Sequence, residues 1–127
     1  MKLRKEDPVI ILRPVFTGPK GRCRIEMALD TGATYTMIPW NIAEKLGYDP
    51  AVSSNRLRLV TASTTEVVPL ITIESIELMG YKIDNVIVAC HDLPIKSRVE
   101  GLLGLNILRH FNIDLHLKDE LLELEDP

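Results

Sequence analysis

Apolar and polar residues alternate along several stretches of the chain, which is the period of a β-strand with one buried face. In the clearest stretch Cys23, Ile25, Met27 and Leu29 fall on one side and three charged residues on the other. The same alternation, or a β-branched apolar run, predicts further strands at 9–16, 35–38, 56–60, 67–78, 81–90, 112–117 and 121–125. The chain is therefore expected to be mainly β.

Two short helices are predicted between these strands. Residues 39–46 read as a helix because Pro39 suits a first turn and Gly47 suits the position past the last turn. The apolar run at 101–110 predicts a strand end that continues into one or two helical turns. With no internal repeat and no low-complexity linker, residues 1–127 are expected to form a single domain.

Two details of the strand pattern predict local features. Small polar residues at 61–65 lie between two strands and indicate an exposed hairpin tip. The apolar phase slips by one residue near Glu74 and Ser75, which predicts a β-bulge.

Composition narrows the function classes. The net charge is −3 and the lysines and arginines are scattered, so the chain has no electrostatic footprint for nucleic acid. No apolar run approaches the roughly 18 residues that a membrane span needs. An acidic pair, not an apolar signal core, follows the basic N-terminus, so a cytoplasmic location is expected. Cys23 and Cys90 stand alone in sequence and are expected to be buried free thiols.

The candidate chemistry begins at Asp30-Thr31-Gly32, which follows the apolar run 27–29 and precedes the small residue Ala33. Alone, this tripeptide is weak evidence, because Asp and Gly also suit a tight turn. About 70 residues later, Leu102-Leu103-Gly104 leads into Leu105-Asn106. The two motifs in this order and at this distance are much more specific than either alone.

Together these motifs resemble the retropepsin-like aspartic proteases, the retroviral enzymes and their single-domain cellular and prokaryotic relatives, over about residues 9–125. The resemblance implies a closed β-barrel of the retropepsin type with two short helices. It also implies hydrolysis of peptide bonds by a water molecule held between two Asp30 carboxylates, one ionised and one protonated.

The chain holds one Asp-Thr-Gly, so this chemistry implies a homodimer that brings two copies of Asp30 together. The expected partners are a second copy of the chain and a peptide or protein substrate. No cofactor or metal is implied, and the three histidines lack a metal-ligand spacing.

The resemblance also implies roles around the catalytic residue. Thr31 would form hydrogen bonds across the two-fold axis, and Gly32 would let the backbone pass close to both carboxylates and to an extended peptide. Ala33 and Thr34 would line the floor of the groove, with Ala33 part of the active-site loop. The supporting residues beneath this loop would be Leu102, Leu103 and Gly104.

The predicted hairpin tip would be the flap that closes over substrate and excludes water. Its expected substrate-binding residues are Ala62, Ser63, Thr64 and Thr65. This segment lacks the glycines that are common in the flaps of the family. A second departure is that Thr34 and Leu105 stand where retroviral enzymes have an acidic residue and an arginine that pair with each other.

Two alternatives stay open at this stage. The acidic tail, 120–126, suits a solvated strand face, whereas the family resemblance implies a terminal strand at the dimer interface. The alternation of Leu122 and Leu124 with glutamates fits that second interpretation too. The fold also does not guarantee the chemistry. The rival hypothesis is a catalytically silent retropepsin-like dimer that binds extended peptides or assembles partners.

Overall fold

The computed structural model describes residues 1–60 and 63–125, and these form a mainly β fold. Its strands are β1 (Ile11–Leu12), β2 (Val15–Gly18), β3 (Gly21–Arg24), β4 (Met27–Leu29), β5 (Thr36–Ile38), β6 (Arg56–Val60), β7 (Thr65–Leu78), β8 (Tyr81–Cys90), β9 (Gly101–Leu103), β10 (Asn112–His116) and β11 (Leu121–Glu125).

The first nine strands form one curled sheet. Its order is β1-β4-β9-β5-β8-β7-β2-β3, with β6 paired to β7 outside this path. Two pairs of neighbouring strands in the sheet, β4 with β9 and β5 with β8, are parallel, and each pair joins segments far apart in sequence. The mainly β prediction is confirmed. The finer prediction of a closed barrel is not, because β1 and β3 stand at opposite ends of the strand order and are not paired with each other among the described residues.

Two short α-helices are present among the described residues: α1 (Trp40–Lys45) and α2 (Leu105–Leu108). Both are shorter than the predicted segments. Pro39 provides no side-chain cap for α1, and the Trp40 N–H donates instead to Oδ1 of Asp92 at 2.9 Å. None of the described helices is long and apolar enough to cross a membrane.

The sheet curls around an apolar core to which both helices contribute. Its largest fully buried side chains include Phe16, Met27 and Leu103. Cys90 is also fully buried, and its removal from water, with a smaller contribution from the charge of Asp92, raises the pKa of its thiol to about 12. Both cysteines are free, but Cys23 is only half-buried, so the prediction of two buried thiols is wrong for that residue.

The predicted bulge near Glu74 is wrong. The β7–β8 pairs on either side of it are Ile73 with Val86 and Ser75 with Asp84, so neither strand contains an extra residue. Instead, Glu74 and Asn85 both leave the pairing: Asn85 adopts a left-handed conformation with φ 55°, and the Glu74 N–H donates to the Tyr48 hydroxyl at 2.8 Å. One residue of each strand, Glu74 in β7 and Asn85 in β8, is thus unpaired, and the apolar phase of β7 slips by one residue as it would at a β-bulge.

The chain termini form a small separate sheet. Strand β10 pairs with β11 in antiparallel register, with Leu115 opposite Leu122. The first residues of the chain lie along the other edge of β11, where Lys2 is bridged to Leu121 and the Leu3 N–H donates to the Glu120 carbonyl at 2.7 Å. The outer edge of β11 is therefore paired at its first two residues, Leu121 and Leu122.

Candidate active site

Asp30 lies at the carboxyl end of β4, where the sheet gives way to a loop. Strand β9 runs parallel to β4, with Leu103 in register with Leu29. The Asp30 N–H donates to the Leu103 carbonyl at 3.0 Å, which extends the parallel pairing by one residue. The position of the Asp30 backbone is therefore set by a strand from the opposite end of the sequence.

The loop after β4 turns on the side chain of Asp30. The Gly32 N–H donates to Asp30 Oδ1 at 2.9 Å, and the Ala33 N–H donates to the Asp30 carbonyl at 3.2 Å. The first bond fixes the carboxylate relative to the backbone, since an Asp side chain that accepts from the residue two positions on forms a local turn. The second bond closes the main-chain turn around it. Asp30 is half-buried, whereas Thr31 and Gly32 are exposed on the surface of the single chain.

Gly104 lies against the underside of this loop. A Cβ at this position would come within 2.7 Å of the Tyr35 backbone and 2.8 Å of the Ala33 carbonyl oxygen, so no larger residue fits without displacing the loop. The adjacent Leu103 is fully buried and Leu102 is half-buried. The structure thus brings the second predicted motif into contact with the first, and its supporting role stays a prediction.

The N-terminus of α2 completes this packing through the backbone. The Leu105 N–H donates to the Ala33 carbonyl at 2.8 Å, and the Asn106 N–H donates to the Thr34 carbonyl at 3.2 Å. Thr34 is exposed and Leu105 is half-buried. Where the retroviral enzymes join these two segments by an ion pair, this chain joins them by main-chain hydrogen bonds.

Two polar residues that the sequence analysis did not single out as site residues connect the loop to the sheet. Asn106 Oδ1 accepts hydrogen bonds from the N–H and the hydroxyl of Thr36, at 2.9 and 3.0 Å, and its Nδ2 donates to the Ile87 carbonyl at 2.6 Å. Thr36 is fully buried, and its Oγ1 accepts from the Gly104 N–H at 3.0 Å. The available sequence signal was an asparagine within an apolar helix.

The predicted flap is the hairpin of β6 and β7, in which Val60 is opposite Thr65. Ser63, Thr64 and Thr65 are exposed near its tip, and Ala62 lies outside the described residues. One face of the hairpin, with Leu57, Leu59 and Val68, is partly or fully buried. The hairpin is confirmed, and the binding of substrate by its tip stays a prediction.

Near its tip, this hairpin meets the end of β8 at a polar contact. Glu66 Oε2 lies 3.7 Å from His91 Nδ1, at the end of β8.

Nowhere in the described part of the chain do three or more His, Cys, Asp or Glu residues cluster in a way that could hold a metal ion.

Comparison with known sequences places this site in a family. Residues 20–110, which include both motifs, match the family model described as "gag-polyprotein putative aspartyl protease". None of the curated protein sequences gives a significant match.

Solved structures share the fold. A retropepsin-like aspartic protease from Rickettsia conorii is similar with a TM-score of 0.74 and 23% identity, over 97% of this chain and 86% of that one. The retroviral protease-like domain of Ddi1 from Leishmania major is similar with a TM-score of 0.61 and 16% identity, over 94% and 90%. At these identities the likeness establishes a shared retropepsin-like fold.

Proposed function

Because the chain belongs to the aspartyl protease family of gag polyproteins, we propose that it is an aspartic endopeptidase that hydrolyses peptide bonds as a homodimer. The observation that carries this proposal is the orientation of the Asp30 carboxylate within one chain and the exposure of the residues that follow it. That carboxylate is oriented by the Gly32 N–H, and the residues beside it are exposed. The residues of the Asp-Thr-Gly turn therefore remain free to meet a second copy.

The proposed chemistry needs two carboxylates with opposite protonation states. The ionised Asp30 takes a proton from a water molecule as that water attacks the peptide carbonyl, while the protonated Asp30 of the second chain donates a hydrogen bond to the carbonyl oxygen. When the tetrahedral intermediate collapses, its C–O⁻ becomes a carbonyl again and the C–N bond breaks. The Asp30 that took the water proton gives it to the leaving amine, which restores one ionised and one protonated carboxylate. Two adjacent like charges disfavour full ionisation of the pair, so the proton is shared and the pH limits of activity belong to both carboxylates.

The surrounding residues support this chemistry in proposed roles. Thr31 forms hydrogen bonds across the two-fold axis. Gly32 has no side chain, so an extended peptide can approach the backbone closely. Thr34 and the hairpin tip contact the substrate, and closure of the tip excludes water from the dyad. The finer predictions of a closed barrel and of a cytoplasmic location belong to the same proposal.

The test compares Asp30→Asn with Asp84→Asn. Asp84 is an exposed aspartate of β8 that forms an ion pair with Lys82 at the surface. We expect Asp30→Asn to lower the rate of peptide cleavage by about 10³-fold or more, because an amide can neither accept nor deliver the proton. Asp84→Asn is expected to leave the rate unchanged. Sedimentation of each variant reports whether the dimer persists.

Two results would count against the proposal. Cleavage that survives in dimeric Asp30→Asn would remove Asp30 from the mechanism. A wild-type dimer that binds extended peptides but cleaves none between pH 3 and pH 7, roughly the range in which carboxylate pairs titrate, would instead support the catalytically silent binding module.

A further inference from the structure

The β6–β7 hairpin is joined to the sheet through β7. Residues 70–78 of β7 run alongside β8, whereas residues 65–69 pair with β6. Pro69 stands where the partner changes, and a proline suits this point because it has no N–H to donate to a strand ladder. Beyond Pro69 the ladder no longer fixes the hairpin against β8, so side-chain contacts have more influence on its position.

Apolar burial holds the outer part of this hairpin weakly. Val60 and Val67 are 75% and 59% exposed, whereas Val68, closer to Pro69, is buried. Segments with few buried apolar contacts are those that move at low free-energy cost. A polar contact on the outer part of the hairpin therefore has a large share in setting where the hairpin lies.

Such a contact joins Glu66 to His91. Glu66 is one residue from the pair of Val60 with Thr65 that lies nearest the tip. His91 follows β8, and its N–H donates to the Ile38 carbonyl at 3.0 Å, at the end of β5. Since β5 is the strand that leaves the Asp30 loop, the contact connects the hairpin to the element next to the candidate site.

The geometry of the contact makes it depend on charge. At 3.7 Å, Glu66 Oε2 and His91 Nδ1 are too far apart for a hydrogen bond but close enough for opposite charges to attract. The two side chains are 50% and 30% exposed, so water reaches both. The attraction exists when the imidazole is protonated and disappears when the imidazole is neutral.

The groups around His91 do not oppose this attraction. The groove between the hairpin and β8 is also lined by Trp40, Val67, Val68 and Asp92. Among the described residues that line it, the titratable groups facing His91 are Glu66 from β7 and Asp92 from the loop after β8, while α1 contributes the uncharged Trp40. Both carboxylates would attract a charged imidazole.

We propose that Glu66 and His91 form a latch that holds the β6–β7 hairpin against the end of β8 when His91 is protonated and releases it when His91 is neutral. The inference rests on the proposed function, in which the tip of the hairpin closes over the substrate. Glu66 and His91 act through the hairpin and do not touch the peptide bond, so they are positioning residues.

The latch has a defined pH range. Histidine side chains gain their charge below about pH 6 to 7, and glutamate side chains lose theirs below about pH 4. The latch is therefore strongest between roughly pH 4.5 and 6. The proton shared by two carboxylates in the proposed mechanism also belongs to acidic solution, so the hairpin is held in place where the carboxylates are active.

Trp40 provides a measurement that needs no substrate. It is the one tryptophan of the chain and lines the groove that the hairpin covers, so acrylamide reaches it more easily when the hairpin moves away. For wild type we expect the Stern–Volmer quenching constant to rise about 1.5-fold or more between roughly pH 5.5 and pH 7.5, as the imidazole loses its charge.

Substitutions of the pair test whether charge is the cause. His91→Gln and Glu66→Gln remove one charge at every pH, so each should show the high quenching constant at both pH values. His91→Lys keeps a positive charge throughout this range and should show the low constant at both. The control is His110→Gln, which changes an exposed histidine after α2 and should keep the wild-type rise. Circular dichroism confirms that each variant is folded.

Peptide cleavage gives a second measurement. At roughly pH 5.5, His91→Gln is expected to raise KM about two- to fivefold with a smaller change in kcat, which is the size of effect expected from an exposed ion pair. Near pH 7 wild type and His91→Gln should have the same KM, because neither has the charge, whereas His91→Lys should retain the lower KM. A merely structural role of His91 would not produce this dependence on pH and on charge.

The outcomes separate this inference from the proposed function, because quenching is measured without substrate. A quenching constant that is independent of pH in wild type, or that rises equally in His91→Gln, would overturn the latch and leave the protease proposal standing. His91→Lys that behaves like His91→Gln would also overturn it. The expected quenching pattern in a chain that cleaves no peptide would support the latch and contradict the protease proposal.

Discussion

The backbone N–H of Asp30 donates to the carbonyl oxygen of Leu103 at 3.0 Å, across two parallel strands whose sequences lie about 70 residues apart. This bond links the candidate catalytic residue to the segment that continues into Gly104 and α2. Substitutions in that segment are therefore expected to alter the site without touching the carboxylate.

Gly104→Ala is expected to destabilise the fold by about 2–4 kcal/mol, because the new methyl group would meet backbone atoms of Tyr35 and Ala33 that cannot rotate away. The control is Gly80→Ala. Gly80 has φ 88° with open space around it, so that substitution costs only the strain of a left-handed residue, about 1 kcal/mol. Urea unfolding measures both, and equal losses would contradict the close packing of Gly104 beneath the loop.

Asn106→Ala should cost about 2–3 kcal/mol of stability, because it leaves the buried N–H and hydroxyl of Thr36 without their acceptor. The matched control is Asn112→Ala, which removes an exposed amide bonded to Glu125 and should cost less than about 1 kcal/mol. Thermal unfolding of the two variants gives the comparison. A loss for Asn106→Ala no larger than that of the control would show that the network contributes little.

The buried thiol of Cys90 makes stability depend on alkaline pH. Its pKa is raised to about 12 in the folded chain, above the ordinary value, so folding favours the neutral thiol. That contribution is complete below about pH 9 and is lost as the pH rises toward 12. Between pH 9 and 11, wild type is expected to lose on the order of 2 kcal/mol more stability than Cys90→Ala. Parallel pH profiles for the two proteins would contradict this prediction.

The sequence predicted well those features that depend on one strand at a time. The alternation of apolar and polar residues identified the strand that leads to Asp30, and Pro39 and Gly47 indicated the two ends of α1. Both features depend only on residues close together in sequence. The approach of Gly104 to the Asp30 loop was implied by the family resemblance, not by the local pattern, and the structure shows the close backbone contacts.

Features that depend on neighbouring strands were out of reach. The role of Thr36 becomes visible only once β5, β9 and α2 are adjacent, since a buried hydroxyl needs partners supplied by distant segments. The phase slip at Glu74 was interpreted as a bulge in one strand, because the periodicity of a sequence describes each strand separately. In the structure Asn85, opposite Glu74, leaves the regular pairing as well. Likewise, alternation in β11 could not reveal that the first residues of the chain lie along its outer edge at Leu121.

The central claim is that one catalytic site needs two Asp30 carboxylates, one from each chain. Mixing wild-type protein with Asp30→Asn, under conditions in which subunits exchange, tests it directly. If both carboxylates are required, activity follows the square of the wild-type fraction, so an equal mixture retains about a quarter of the maximum activity. About half of the activity in the same mixture would mean that each chain acts alone, and about three quarters that one Asp30 per dimer suffices. Either result would contradict the account.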